Sequence, residues 1–158
     1  MVRLADLPEW ERENFLKKIP TLPQFTSSPW ARGPALAQRR VAIITTAGLH
    51  TRSDPPFGAG AAGMDYRVIR SDIAPADLVM SHLSVNFDRS GFQADTNVAF
   101  PLDRLKELVR EKFVGAVAAF HYSFMGAVSP ITQYERKARE LAALLKKDNV
   151  DGVLLSPV

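Results

Sequence analysis

The chain has 158 residues, a formal net charge of +3 and no cysteine, with 46% hydrophobic and 23% charged residues. That length can bury roughly 70% of the unfolded surface around one core, and the composition is that of a folded domain, neither disordered nor fibrous. Without cysteine these residues supply no disulfide, thiolate metal ligand or cysteine nucleophile. The 20 basic side chains are scattered among 17 acidic ones without a basic run, so nucleic-acid binding is not indicated. No apolar run approaches the roughly 18 residues of a membrane span, and acids occupy Met1 to Trp10 where a secretory signal is apolar. A cytoplasmic protein without membrane contact is the expectation.

Residues 1–38 read as an N-terminal helix and a proline-rich wrapping segment. Asp6 and Glu9 make a capping box, Leu7, Trp10, Phe15 and Ile19 give an apolar stripe, and Pro20 ends the helix. Pro20, Pro23, Pro29 and Pro34 then surround Phe25 and Trp30, too many prolines for helix or sheet and too much aromatic surface for a free linker.

Residues 39–158 read as an α/β domain. Val41 to Ile44 is an uninterrupted apolar run of the kind buried on both faces of a sheet, and Thr45-Thr46-Ala47-Gly48 breaks it. Tyr66 to Arg70 and Leu78 to Ser81 are shorter strand candidates. Pro101 suits the first turn of a helix whose apolar face is Leu102, Leu105, Leu108 and Val109. Gly115 to Phe120 predicts a strand. Ser129 and Pro130 predict the start of a helix with Ile131, Tyr134, Ala138, Leu141 and Leu145 on one side, and Gly152 to Leu155 predicts the last strand. Strands alternating with helices predict a three-layer fold, a mainly parallel sheet with helices on both faces.

In such a sheet ligands bind outside the carboxyl ends of the strands. The chain's three histidines all fall at those ends: His50 after the first strand, His82 after Leu78-Val79-Met80, and His121 after Val117 to Phe120. Histidine moves protons near neutral pH or ligates metals, but no paired-histidine spacing supports a metal site. The alternative is that each ring bonds a loop carbonyl. Gly58-Ala59-Gly60-Ala61-Ala62-Gly63 matches a dinucleotide fingerprint in letters only, since Asp54-Pro55-Pro56 precedes it and the strand-like Tyr66 to Ile69 follows. A flexible glycine-alanine loop fits it better, with a mobile flap over the rim as its functional reading. No Gly-x-Ser-x-Gly elbow is present, and Ser156 is followed by proline, so a serine hydrolase is not indicated. Asp95 and Asn97 either aim at the site or cap the helix that follows.

Several ordered motifs carry a resemblance. They are Val41-Ala42-Ile43-Ile44-Thr45-Thr46-Ala47-Gly48-Leu49-His50 with Arg52-Ser53-Asp54, Tyr66-Arg67-Val68-Ile69, Asp95 to Leu105, His121-Tyr122-Ser123-Phe124-Met125-Gly126, and Asp151 to Val158. From about Arg39 onward the chain is similar to the selenoprotein B family of glycine, sarcosine, betaine and D-proline reductases. The first 38 residues resemble it less, and Leu83 to Gln93 departs from the family's histidine- and acid-rich version of that segment.

The resemblance implies reductive cleavage of a carbon–nitrogen bond alpha to a carboxylate in a small amino acid or amine, with electrons from a thioredoxin-like dithiol donor. It implies a nucleophilic selenocysteine, or cysteine, directly after a Ser/Thr-Pro-Val that here is Ser156-Pro157-Val158, and a pyruvoyl group on a partner reductase subunit. The expectation is therefore a reductase subunit truncated just before its catalytic residue, as a UGA codon read as termination would produce. In that reading His121, His82 and His50 are the catalytic candidates, and Thr45, Thr46, Asp95, Asn97 and Ser156 the substrate-binding ones. The alternative is a non-catalytic binding or structural subunit using the same strand-end pocket.

Overall fold

The computed structural model describes residues 3–24, 31–58, 63–84, 89–126 and 131–158. It divides into two units, Met1–Ala31 and Arg32–Val158. In the first, helix α1 (Glu9–Lys18) begins behind Pro8 with Glu9 and Glu11 in its first turn and ends on Lys17 and Lys18, charges that complement the helix dipole. None of its residues is buried, and Asp6 accepts the Arg3 N–H at 3.0 Å rather than pairing with Glu9. A 3₁₀ turn, Ile19–Thr21, closes the helix around Pro20. Phe25 and Trp30, on which the wrapping segment was read, lie outside the described residues.

The second unit is built on β1 (Arg40–Thr45). β7 (Gly152–Ser156) runs parallel along one of its edges from Val41 to Thr45. A strand has two edges, so β5 (Ala116–Val117) and β6 (Phe120–Ser123) share the other, both parallel to β1. β3 (Arg67–Arg70) pairs antiparallel with β6. Separately, β2 (Leu49–Thr51) and β4 (Leu78–Met80) form a two-stranded antiparallel ribbon. The α/β class expected from the sequence holds, and the sheet is mixed: among the described residues β5, β6 and β7 run parallel to β1, while β3 is antiparallel to β6 and the separate ribbon is antiparallel. The antiparallel members β2, β3 and β4 have three or four residues each, too few for a periodicity argument to read their direction.

Alternate β1 side chains enter two clusters, as the pleat requires. Val41 and Ile43 pack with Phe100, Leu102 and Leu105, the last two from α3 (Leu102–Arg110). Ile44 packs with Tyr122, Phe124 and with Leu141 and Leu145 of α4 (Glu135–Lys147). A short helix, α2 (Ser90–Ala94), adds Phe92 to the first cluster. The expected helix start at Ser129 and Pro130 lies outside the described residues, and α4 proper follows a 3₁₀ turn over Ile131–Tyr134.

The predicted strand over Gly115 to Phe120 is broken in two. At the break, the main-chain groups find unusual partners. Ile43 N–H, which an unbroken neighbour would pair through a carbonyl, donates to Nδ1 of His121 at 2.9 Å. Ala119 and Phe120 N–H donate to Oδ2 of Asp148 at 2.8 and 3.3 Å, and the Ala119 carbonyl accepts from Ser71 N–H. Oδ1 of Asp148 holds Arg40 at 2.6 Å. Burial raises the Asp148 pKa, but the bonds from Arg40, Ala119 and Phe120 outweigh it and hold the carboxyl below its usual value. His121 is fully buried; burial first, then the charges of Lys106 and Arg40 against an opposing Asp148, push it down to about 4.

Two predictions follow from the break and from the turn before it. The folded state keeps His121 neutral while the unfolded chain protonates it near 6.5, so its contribution to stability is intact above pH 6.5 and is lost as pH falls toward 4. Urea melts across that window should show a loss on the order of 3 kcal/mol from this residue, and the loss should shrink in His121→Asn. At Gly115, an added Cβ would stand 2.5 Å from the Gln38 carbonyl carbon and 2.8 Å from Arg39 N, both main chain. Gly115→Ala should cost roughly 1–3 kcal/mol in the same melts.

Candidate functional site

The carboxyl ends of β1, β6 and β7 and the ribbon beside them form one polar rim. Thr45 and Ser156 are register partners on β1 and β7, and both hydroxyls donate to the Ala99 carbonyl, at 2.9 and 3.1 Å. They tie the segment before α3 to the strand ends. Asp95 accepts the Asn97 N–H at 2.9 Å, and the Asn97 amide oxygen accepts the Asp103 N–H at 3.0 Å, so this pair caps the entry to α3. Bonds from Asn97 hold the Asp95 carboxyl below its usual pKa.

Thr46 is used differently. Its Oγ accepts the Val158 N–H at 2.9 Å and donates to the Val158 carbonyl at 3.4 Å, and its own N–H donates to the Ser156 carbonyl. One side chain thus grips both polar main-chain groups of Val158. Gly126 lies against it: a Cβ there would be 2.9 Å from Thr46 Cβ and Oγ. Beneath the pair an apolar cavity of about 610 Å³ extends under α4, lined by Thr46, Met125, Gly126, Tyr134, Leu141 and Leu155 among others. The Tyr134 hydroxyl donates to the Met125 carbonyl at 2.6 Å, and burial raises its pKa.

Gly48 joins β1 to the ribbon at φ +65°, a left-handed conformation that glycine adopts without strain. Its N–H donates to the Phe124 carbonyl and its carbonyl accepts from Ser81 N–H, while Leu49 N–H donates to the Ser123 hydroxyl at 2.7 Å. The three histidines then separate. His82 follows β4 at the rim, is buried, and accepts the Ser84 N–H on Nδ1 at 3.2 Å; Arg89 bonds its carbonyl, and burial followed by the Arg89 charge lowers its pKa. His50 lies within β2, where a loop was expected, with Nε2 2.8 Å from Ser81 Oγ. His121 lies within β6 rather than beyond a strand end, and among the described residues its Nε2 has no hydrogen-bond partner. Its ring meets Phe100 edge-on at 5.5 Å.

Among the described residues no group of three or more histidine, aspartate or glutamate side chains is placed to hold a metal ion, and no helix is long and apolar enough to cross a membrane. Of the glycine-alanine segment, Gly58 and Gly63 are described and the four residues between them lie outside the described part. Two participants escaped sequence reasoning. Asp148 belongs to no motif singled out in the sequence, and the contact of Ser81 with His50 spans 31 residues with no motif to announce it.

Residues 11–158 match the family model described as glycine/sarcosine/betaine reductase selenoprotein B. The D-proline reductase subunit gamma of Acetoanaerobium sticklandii is 34% identical over 122 residues, which cover 77% of this chain and 49% of that protein. The betaine reductase complex component B subunit beta of Peptoclostridium acidaminophilum is 27% identical, over 77% of this chain and 28% of its own. The glycine reductase complex component B subunit gamma of Symbiobacterium thermophilum is 26% identical, over 77% and 29%. The chain thus spans half or less of the length of these relatives. No solved structure matches. With the match running through every element of the second unit, the chain belongs to the glycine/sarcosine/betaine reductase selenoprotein B family.

Proposed function

We propose that the chain is part of a reductase subunit that cleaves the carbon–nitrogen bond alpha to the carboxylate of a small amino acid or amine of the glycine, sarcosine, betaine or D-proline type. The overall change takes two electrons from a dithiol: the bond to nitrogen breaks, the carbon gains a hydrogen, the nitrogen leaves as a protonated amine or, for D-proline, stays at the far end of the opened ring, and the dithiol becomes a disulfide. The observation that carries this reading to particular atoms is the grip of Thr46 on Val158. It fixes the direction in which the chain leaves the β1–β7 edge, at the strand ends where an α/β fold binds its ligands. A selenocysteine or cysteine directly after Val158 would supply a polarizable nucleophile, which the hydroxyls here do not match at neutral pH. The pyruvoyl group that would hold the substrate amine belongs to a partner subunit.

In this reading Thr46 is a positioning residue. Thr45, Ser156, Asp95 and Asn97 shape the pocket through the main chain they hold. His82, at the rim and kept in its base form near pH 7 by burial, is assigned to a proton relay that takes up a proton released as the dithiol is oxidised and passes it to the leaving nitrogen. His121 acts through the sheet it completes. The exposed side chains of β7, Leu155 above all at 68%, favour a second reading as an assembly subunit without its own chemistry.

Dithiol-dependent cleavage decides between them, read as released amine or ammonia for glycine, sarcosine and betaine and as the ring-opened amino acid for D-proline. The 158-residue chain alone should cleave none of the four substrates. A version continuing through selenocysteine or cysteine, assembled with its partner subunit, should turn over, and turnover by the shorter chain would refute the assignment. In the assembled enzyme Thr46→Val should lower kcat at least tenfold with little change in KM, Thr46→Ser should restore most of it, and His82→Asn should lower kcat while altering its pH profile. Complexes that assemble and bind substrate but never turn over would establish the assembly reading instead.

A further inference from the structure

In the β2–β4 ribbon Leu49 stands opposite Met80 and His50 opposite Val79. Side chains alternate along each strand, so Leu49 and Met80 enter the core on one face while His50 and Ser81 meet diagonally on the other. His50 Nδ1 lies 2.7 Å from the Thr51 carbonyl oxygen, and Nε2 lies 2.8 Å from Ser81 Oγ. A carbonyl oxygen only accepts, so in the neutral ring Nδ1 carries the proton. Nε2 is then the acceptor and the Ser81 hydroxyl the donor.

Both members are held in place. His50 is 4% exposed, and its ring meets Phe57 edge-on at 6.5 Å. Ser81 is half-buried, with its N–H on the Gly48 carbonyl, and Gly48 is confined in turn because a Cβ there would lie 3.2 Å from His82 N. A hydroxyl bonded to an imidazole nitrogen, with the imidazole oriented through its other nitrogen, is the arrangement that activates a serine. Here a main-chain carbonyl takes the orienting place that a carboxylate holds in a triad.

We propose that Ser81 is a nucleophilic serine with His50 as its general base, and that the pair takes acyl groups from activated esters. Ser81 Oγ bonds to the ester carbonyl carbon as its proton passes to His50 Nε2. The ester carbon–oxygen bond breaks, and the departing oxygen leaves with that proton. Water then attacks the acyl-serine ester, again through His50, releasing the carboxylic acid and restoring the hydroxyl. The imidazolium formed in between keeps its Nδ1–H on Thr51. This activity needs no residue beyond the 158 and does not rest on the reductase reading.

The test is acetylation of the chain by p-nitrophenyl acetate, read as a burst of nitrophenolate and as a mass gain mapped to one peptide. Acetylation should map to Ser81, disappear in Ser81→Ala and slow by roughly 100-fold or more in His50→Gln. Because the chain has no cysteine, Ser81→Cys supplies a second measurement that tolerates failure of the other variants to fold. Its thiol should react with iodoacetamide at pH 7 at least ten times faster than that of Ser53→Cys, on an exposed turn, since His50 favours the thiolate. Acetylation confined to other residues, an unchanged rate in His50→Gln, or equal alkylation of the two thiols would each overturn the proposal.

Discussion

The strand-end rim depends on one hydrogen bond in the middle of the sheet. Where the neighbour of β1 breaks, Ile43 N–H is left facing a gap, and a buried N–H without a partner costs about 1–3 kcal/mol. The His121 ring fills that gap, so a side chain stands in for the missing carbonyl and the ladder continues past the break. Asp148 does the reciprocal service for Ala119 and Phe120, binding Arg40 with its second oxygen. Only because the break is satisfied on both sides does β6 resume in register, Ile44 opposite Tyr122 and Thr45 opposite Ser123. That register in turn places Ser123 under Leu49 and Gly126 against Thr46.

What the sequence made legible follows from length and period. β1, β7, α3 and α4 are long enough, or apolar enough, for their patterns to stand out, and all four are where they were expected apart from a few residues at their ends. Of the ribbon, β4 is legible within the Leu78 to Ser81 strand candidate, but the three residues of β2 carry no period, so His50 reads as a loop residue. The strand around Val117 was read as continuous because Ala118 and Ala119 look like strand filler. Nothing local shows that a carboxylate 29 residues later would take the Ala119 amide. The family resemblance was legible from ordered motifs and required none of this geometry.

The candidate residues divide by what their polar atoms do. Thr45, Ser156, Asp95 and Asn97 spend theirs on main-chain groups around α3. They make the rim rigid, and rigidity is what a positioned reaction needs. Thr46 alone of the two adjacent threonines faces both the cavity and Val158, a division imposed by the alternation of side chains along β1. Burial lowers the pKa of both His121 and His82, yet one completes the sheet from within β6 and the other follows the carboxyl end of β4.

β7 has a bearing on how the chain behaves at high concentration. Val153, Leu154 and Leu155 are 42, 40 and 68% exposed, and β1 is the strand's partner among the described residues. Aliphatic side chains beside an open row of amides make a template onto which a second molecule can add a strand. Self-association through that border would be colloidal in character, favoured by salt that screens the net charge of +3 and suppressed by a lysine placed at Leu155.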